Sequence, residues 1–222
     1  MSSTERGYDL LAPKFDNTPF RTPDEVLDAT AQALDGLGPF EAGLDLCCGT
    51  GAGVDRVLRR VCHGPVTGVD FSEGMLAEAR RAVPGAGWVR ADVRALPARD
   101  AFDLAVSFGA FGHFLPHERP TLFGQVHAAL RPGGLFAFPV AAPPRVGSRP
   151  YWTLWGFDAA MRVRNALWRP RFVMYYRRFP LPEVRRDLVA AGFTVSTLAL
   201  ETLGRLPDGS PRCRLVLARR RA

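Results

Sequence analysis

The chain lacks the features that mark membrane-spanning, exported and metal-binding proteins. No apolar run in its 222 residues approaches the ~18 residues of a membrane-spanning helix. The polar N-terminus does not resemble a signal peptide, so we expect a cytoplasmic protein without membrane contact. The four cysteines form no Cys-x-x-Cys pair and no histidine spacing completes a zinc site, so no metal is expected.

Lysine is almost absent as well. Lys14 is the only lysine among 29 basic residues, and with 22 acidic residues the net charge is +7. Near-complete use of arginine is typical of genomic base composition rather than of a binding site. The charge is compatible with an acidic or nucleic-acid partner and requires neither. With 47% hydrophobic and 23% charged residues, the composition is that of a globular protein able to bury a sizeable core.

Three alternate glycines follow a short apolar stretch that carries one acid. Residues 43–54 read Gly-Leu-Asp-Leu-Cys-Cys-Gly-Thr-Gly-Ala-Gly-Val, and a helical apolar pattern follows. This indicates a buried strand, a tight turn and a helix, with glycines letting a ligand approach the backbone. A nicotinamide-binding turn would place its third glycine at Val54, and the Gly-Lys-Ser/Thr ending of a P-loop is missing. A glycine-rich turn without a ligand remains the alternative.

Short apolar runs then alternate with helical patterns. The alternation predicts a parallel sheet covered by helices on both faces. An Arg-Pro-Gly-Gly turn at 131–134 is expected before the fifth strand, and a turn signal at 207–211 predicts that the last two strands pair antiparallel. The predicted strands after the first lie at 65–70, 86–91, 101–108, 135–141, 193–200 and 212–219.

The glycine stretch resembles motif I of the class I (Rossmann-like) S-adenosylmethionine-dependent methyltransferases, an acid, three residues and then Gly-x-Gly-x-Gly. Asp45, Gly49, Gly51 and Gly53 match this motif position by position. The layout over roughly 8–219 also resembles the fold of that family. The resemblance implies an α/β fold with a doubly wound, mostly parallel seven-stranded sheet, whose antiparallel last strand lies next to the fifth. It also implies S-adenosylmethionine as the cofactor.

Two segments elaborate this single predicted domain of residues 1–222. Residues 1–40 form an N-terminal arm and a helix, for which Thr22 is the candidate N-cap. Within the arm, the stretch at 8–16 resembles an opening motif common in small methyltransferases of this family, where it lies over the cofactor pocket. A loose arm is the alternative.

The second segment is a cap insert at 142–180, where the family places acceptor recognition. It contains eight arginines and a single acid, Asp158. We rank a cap over a small-molecule pocket first, a homodimer surface second and a nucleic-acid surface third. Tyr175 and Tyr176 are candidates to face the acceptor. Five apolar residues at near-helical spacing predict an amphipathic helix: Trp152, Trp155, Ala159, Val163 and Leu167.

Acids at strand ends extend the predicted cofactor site, because ligands of doubly wound sheets bind at the carboxyl ends of the strands. Asp70 follows Gly49 by about the ~20 residues expected for a ribose-binding acid, with a helix cap as the alternative. By resemblance, Phe71 packs on the adenine, Asp92 accepts from the adenine amino group and the Val93 N–H meets a ring nitrogen. A solvated loop acid is the alternative for Asp92.

Asp45 lies inside a strand, where an unpaired carboxylate is costly, so it binds either the N–H groups of the turn or the cofactor ammonium. Met75 either flanks the adenine or belongs to the core, and by resemblance the backbone at Ser107 faces the methionine end. The full predicted cofactor set is Asp45, Gly49, Thr50, Gly51, Asp70, Phe71, Met75, Asp92, Val93 and Ser107.

The predicted reaction is in-line methyl transfer to an oxygen or nitrogen of a small molecule. His113 and His117 are candidate bases, with His113 preferred by resemblance; a histidine that shapes the pocket wall is the alternative. Residues 107–110 read Ser-Phe-Gly-Ala, not the Asn/Asp-Pro-Pro-Tyr/Phe of enzymes that methylate DNA amino groups or glutamine amides. A nicotinamide-dependent oxidoreductase and a non-catalytic S-adenosylmethionine- or RNA-binding module remain as alternatives.

Overall fold

Seven strands form one sheet in the order β3-β2-β1-β4-β5-β7-β6. The computed structural model describes residues 3–144 and 180–221, and from the insert residues 147–149, 151–153, 155–156, 159–160 and 163. β7 lies between β5 and β6 and runs opposite to the other six strands. The strands are β1 Gly43–Leu46, β2 Val66–Asp70, β3 Gly87–Arg90, β4 Phe102–Ser107, β5 Leu130–Ala141, β6 Phe193–Ala199 and β7 Cys213–Arg220.

Helices precede the sheet and connect its strands. In α3, a π-helical stretch at Val54–Leu58 continues as an α-helix over Arg59–Val61. A 3₁₀ segment, Ala12–Asn17, joins α1 to the chain that leads into α2. The remaining helices are α1 Ser3–Leu11, α2 Asp24–Asp35, α4 Glu73–Ala82, α5 Arg119–Ala129 and α6 Leu181–Ala190.

The sheet buries a hydrophobic layer on each face. One layer joins α5 and α6 to the sheet through Phe123 and Leu188, and the other joins α2 and α3 to it through Leu34 and Leu58. All four of these side chains are fully buried, and each contributes about 1.5–3 kcal/mol of transfer free energy. The prediction of a doubly wound, mostly parallel seven-stranded α/β sheet with an antiparallel last strand is therefore confirmed.

Several local predictions differ from the structure. Thr22 does not cap α2, because the extended Pro23 stands between it and the first helical residue. Residues 131–134 do not form a separate turn, since they belong to β5 and make an irregular bulge opposite Phe102 and Leu104. Cys47 and Cys48 lie just after β1, and Cys47 has a positive φ of 55°.

The amphipathic helix of the insert is only partly described. The described insert residues 149, 151–153, 155–156, 159–160 and 163 are mostly helical. However, the side chains of Trp152, Trp155 and Val163 are 56–57% exposed, so this apolar stripe is not buried against the sheet. The predictions for Asp158, Leu167, Tyr175 and Tyr176 fall on residues outside the described part.

Candidate active site

The order of the strands reverses between β1 and β4, which creates a crevice at their carboxyl ends. The two strands pair in parallel, with Leu46 opposite Ser107. The buried Ser107 hydroxyl donates to the Leu46 carbonyl at 2.9 Å and ties the two strand ends together. Ser107 therefore shapes the floor of the crevice with its side chain, while the loops that follow β1 and β4 form its walls.

The glycine loop requires glycine for two different reasons. Gly51 has a φ of +93°, a conformation that other residues adopt only with strain, and a Cβ there would lie 2.8 Å from the Trp88 ring. A Cβ at Gly53 would lie 2.4 Å from Asp45 Oδ2 and 2.7 Å from the Phe108 ring. The missing side chain at Gly53 thus leaves the space that lets the loop and the Asp45 carboxylate approach each other.

Nothing in the packing of the described residues explains why the buried residue at position 45 is an acid. It is 1% exposed, and its Oδ1 has no hydrogen-bond partner among the described residues. Burial, followed by repulsion from Asp70, raises the pKa of Asp45 well above its usual value. The amide N–H of Gly49 bonds Asp70 and that of Gly51 bonds the Cys48 carbonyl, so neither of these loop donors is directed at Asp45.

Asp70 holds the backbone on both sides of the crevice. Its carboxylate accepts from the Gly49 N–H at 3.0 Å and from the Ser72 N–H at 2.9 Å. Burial nevertheless raises the pKa of Asp70 to about 6, against the opposing effect of these hydrogen bonds. Asp70 thus connects the glycine loop to the turn that begins α4. Ser72 is the N-cap of this helix, because its side chain accepts from the Met75 N–H.

The remaining residues of the predicted cofactor set are spread around this centre. Met75 is 1% exposed, as expected if its side chain belongs to the core. Asp92 caps the 3₁₀ turn containing Val93 and is paired with Arg94 through hydrogen bonds that lower the pKa of Asp92. The Thr50 hydroxyl donates to Asp16 at 2.7 Å.

The N-terminal arm is fixed over the loops that follow β1 and β2. Asp9 Oδ1 accepts from the Ser72 hydroxyl at 2.6 Å and from the Gly74 N–H at 2.9 Å. A Cβ at Gly74 would lie 2.8 Å from the Asp9 Cα, so the arm sits directly on this backbone. The alternative of a loose arm is therefore wrong.

His113 lies beyond β4 and meets the arm. Its Nε2 is 2.8 Å from the Tyr8 hydroxyl, and the two rings are perpendicular. Burial lowers the pKa of His113 to about 4, so its imidazole is neutral at physiological pH. His117 is exposed on the surface.

A small pocket of about 60 Å³ opens beside Asp45. This is room for roughly four water molecules, less than a nucleoside cofactor needs. The sequence-based reasoning missed Phe20 and Arg21 in its wall, because an irregular stretch before α2 carries no motif. The other lining residues are Phe15, Thr22, Leu27, Asp45, Cys47, Cys48, Gly49, Thr50, Ala52, Gly53 and Phe108.

Arg21 introduces a positive charge into the wall of the pocket that Asp45 also lines. It donates to Asp24 at 2.6 Å and lies 3.5 Å from Asp16. Five N–H donors on a guanidinium leave capacity for a further acceptor. An anion from the strand and a cation from the chain before α2 therefore border one pocket.

The described part of the chain contains neither a group of three metal-ligating side chains nor a helix able to span a membrane. The four cysteines are free thiols.

Known proteins resemble this chain in sequence. A family model described as a methyltransferase domain matches residues 44–134, from β1 into the bulge of β5. Over 178 residues the chain is 32% identical to the ubiquinone/menaquinone biosynthesis C-methyltransferase of Roseobacter denitrificans, covering 72% of this chain and 70% of that protein. It is 37% identical over 94 residues to trans-aconitate 2-methyltransferase of Methylobacterium nodulans, covering 42% of this chain and 36% of that protein. The match thus spans about a third of the second relative.

A solved structure resembles this chain in its fold. The structure described as the DhpI–SAH complex superposes with a TM-score of 0.73 at 20% identity, over 99% of this chain and 96% of that chain. At this identity the likeness shows a common fold.

Proposed function

The chain belongs to the class I S-adenosylmethionine-dependent methyltransferases, and from that premise we propose that it transfers a methyl group to an oxygen or nitrogen atom of a small molecule. The observation that carries this proposal is the unpartnered Asp45 carboxylate in the pocket at the switch point. A buried acid whose oxygen has no partner is costly, and a cationic ligand would favour its ionised form. The α-ammonium group of S-adenosylmethionine meets that requirement.

The residues around the pocket fit both ends of an amino-acid tail. We propose that Asp45 binds the ammonium and that Arg21 binds the carboxylate, since both line the same pocket. Gly49, Thr50 and Gly51 would shape the loop over which the tail lies. Ser107 would act through its bond to Leu46, which fixes the strand ends beneath the tail.

The adenosine half would lie towards β2 and β3. Asp70 is the last residue of β2 and Asp92 follows β3 by two residues, which supports Asp70 as the ribose ligand and Asp92 as the adenine ligand. Phe71 stands directly after Asp70, and its ring contacts Tyr8 of the arm edge-on at 6.1 Å. We propose that Phe71 packs on the adenine and that the Val93 N–H meets a nitrogen of the adenine ring. Asp92 would accept the adenine amino hydrogen beside its existing bond to Arg94.

S-adenosylmethionine supplies an activated methyl group, and the protein contributes proximity, orientation and exclusion of water. The arm performs the last task, because Asp9 and Asp16 hold it over the loops of the site. His113 is the proposed base, and its neutral ring can accept a proton from an acceptor in the crevice. The names of the two relatives refer to trans-aconitate and to ubiquinone/menaquinone biosynthesis, which supports a small-molecule acceptor, although the ubiquinone/menaquinone relative is named a C-methyltransferase.

A labelled-methyl assay tests the proposal. The protein is incubated with methyl-labelled S-adenosylmethionine and deproteinised metabolite extract, and labelled products are separated by chromatography and identified by mass. We expect label on a small molecule at oxygen or nitrogen, inhibited by S-adenosylhomocysteine. Label only on RNA or protein, or only on carbon, contradicts the proposed acceptor.

The alternatives predict different results in the same experiment. A non-catalytic module binds S-adenosylmethionine and leaves all label on it. An oxidoreductase reduces or oxidises a metabolite with a nicotinamide cofactor and transfers no label, but the missing third glycine at Val54 argues against it.

A further inference from the structure

The two edge strands of the sheet differ in length and in charge. β3, at one edge, has four residues and ends with Arg90, which pairs with Glu5 of the arm at 2.8 Å. β6, at the other edge, has seven residues, and none of them is charged, proline or glycine. Natural proteins protect the unpaired N–H and C=O groups of a free edge with short strands, charges, prolines or bulges. β3 has two of these protections and β6 has none.

The free edge of β6 is accessible along most of the strand. Among the described residues, β6 pairs only with β7, and the register is unbroken over the whole length of β6. The exposed side chains of the strand are Thr194, Ser196, Thr197 and Leu198. Leu198 is a large apolar residue and is 41% exposed. The backbone of β6 is therefore open to a further strand.

A groove and this exposed leucine lie on the same face of the sheet. The groove has a volume of about 490 Å³ and extends from Leu37, just after α2, across Leu217 of β7 to Thr194 and Ser196 of β6. Leu198 is two residues after Ser196, and because side chains alternate along a strand it points to the same face. The groove thus lies at the start of β6, and the leucine lies towards its end.

Two arginines that border the groove are held away from the free edge. The Arg219 guanidinium donates to the Gly133 carbonyl at 2.8 Å. The Arg220 guanidinium donates to the Leu130 carbonyl and pairs with Asp100. Gly133 and Leu130 belong to β5, which lies on the other side of β7 from β6. The edge that β6 presents is therefore uncharged.

We propose that β6 pairs antiparallel with β6 of a second copy of this chain, about a twofold axis at Ser196. Ser196 is the central residue of the strand, so this register uses the whole strand and places Leu198 directly opposite Thr194 of the other copy. Directly opposite residues in an antiparallel pair have side chains on the same face, with Cβ atoms about 4.5–5.5 Å apart. Each leucine therefore covers the β6 side of the other copy's groove.

The charges beside the strand favour a second copy in this orientation. Glu201 follows β6 and Arg221 follows β7, and because these strands are antiparallel the two residues lie at opposite ends of the edge. Antiparallel pairing brings Glu201 of each copy towards Arg221 of the other. An acidic partner strand, by contrast, would find no basic side chain on β6 itself.

The inference goes beyond the proposed function and does not depend on it. It places the dimer surface on β6 and not on the insert. β5 and β7 separate β6 from the crevice between β1 and β4, so both crevices stay free in such a dimer.

The mass in solution tests the pairing. In sedimentation equilibrium of the whole chain, we expect the mass to approach twice 24.3 kDa as the concentration rises into the submillimolar range. Leu198→Lys should keep the mass at 24.3 kDa, because a lysine blunts the edge and cannot cover the groove. Val189→Lys is the matched control, since Val189 of α6 is exposed to a similar extent, 45%, and this variant should dimerise like the original chain.

A disulfide tests the register, and it does so independently of how well the lysine variant folds. Ser196→Cys places two thiols opposite each other at the twofold axis, with Cα atoms about 4.5–5.5 Å apart, which a disulfide can bridge. Thr194→Cys lies on the same face, but its two copies would be about 13 Å apart along the strands, beyond the reach of a disulfide. Under mild oxidation we expect a covalent dimer of Ser196→Cys alone, against the background of the original chain with its four free thiols.

The outcomes decide the proposal without a methyl donor, so they are independent of the proposed function. A mass of 24.3 kDa at every concentration of the original chain overturns it. A dimer that persists in Leu198→Lys, or that Val189→Lys weakens equally, forms through another surface and overturns it as well. Equal cross-linking of Ser196→Cys and Thr194→Cys also contradicts the pairing at Ser196.

Discussion

The Asp45 carboxylate connects two features of the sequence, the acid within β1 and the glycine at position 53. Asp45 occupies a position where an apolar residue would suit the fold, since its neighbours Leu44 and Leu46 are fully buried. Gly53 leaves the space that this carboxylate needs. Under the proposed function, the burial of Asp45 lowers stability while its carboxylate binds the cofactor ammonium, which is a trade-off between stability and function.

Asp45→Asn should therefore separate stability from binding. Burial raises the pKa of Asp45, so the folded protein holds the proton of this acid more tightly than the unfolded chain does. The resulting contribution to the free energy of unfolding is fully present below the pKa of the unfolded chain. It is lost as the pH rises from that value towards the folded pKa. At pH 7 we expect the neutral variant to have a Tm higher by about 3–8 °C. Its affinity for S-adenosylhomocysteine should fall by about 10- to 100-fold, the value of a charge-assisted hydrogen bond. Thermal unfolding and calorimetric titration measure the two effects, and a lower Tm with unchanged affinity would refute this role.

Asp70 should make cofactor binding depend on pH. Its pKa is about 6 in the unliganded protein, so its contribution to stability is greatest below about 4 and declines as the pH rises to about 6. Ribose hydroxyls donate best to the charged carboxylate, so the affinity for S-adenosylhomocysteine should increase between pH 5 and pH 7. The nearby Asp9 and Asp45 interact electrostatically with Asp70, and the slope must therefore be compared with that of Asp70→Asn. Equal slopes in the two proteins would contradict the assignment.

At the scale of elements, a few polar contacts attach the N-terminal arm to the body of the protein. Asp9 binds the turn before α4, Asp16 binds Thr50 and Glu5 pairs with Arg90. Phe15 of this arm lines the pocket of about 60 Å³ beside Asp45, so the arm covers the place proposed for the amino-acid tail.

Asp9→Ala should release the arm. The variant loses the acceptor for the Ser72 hydroxyl and the Gly74 N–H, each worth about 0.5–1.5 kcal/mol. We expect faster hydrogen–deuterium exchange in residues 3–17, while the strands exchange as before. Asp9→Asn keeps one acceptor oxygen and should exchange at close to the original rate. Identical exchange in all three proteins would show that Asp9 does not hold the arm.

Arg119 connects α5 to α6 through ion pairs. Arg119 is 7% exposed and contacts Asp187 at 2.8 Å and Glu183 at 3.2 Å. Arg119→Ala should lower the free energy of unfolding by about 2 kcal/mol, below the usual range for a buried pair because Glu183 is half exposed. Chemical denaturation measures the loss, with Arg186→Ala on the exposed face of α6 as control. A comparable loss in the control would mean that the ion pairs contribute nothing specific.

At the scale of the whole molecule, the regular sequence pattern predicted the sheet but not the irregular segments, the bulge in β5 and the stretch before α2. The alternation of short apolar runs with helical patterns, together with turn signals, was sufficient to locate the strands, because burial is repeated along each element. The bulge in β5 could not be predicted, since Gly133 and Gly134 also fit a turn. Arg21 was missed in the pocket, because it lies in a stretch with neither period nor motif, and only tertiary contacts bring it beside Asp45.

The most direct test of the account is calorimetric titration of the whole chain with S-adenosylhomocysteine and, separately, with NAD⁺. The buried Asp45 carboxylate and the glycine loop predict one S-adenosylhomocysteine site per chain and no heat from NAD⁺. Binding of NAD⁺ without binding of S-adenosylhomocysteine would contradict the account.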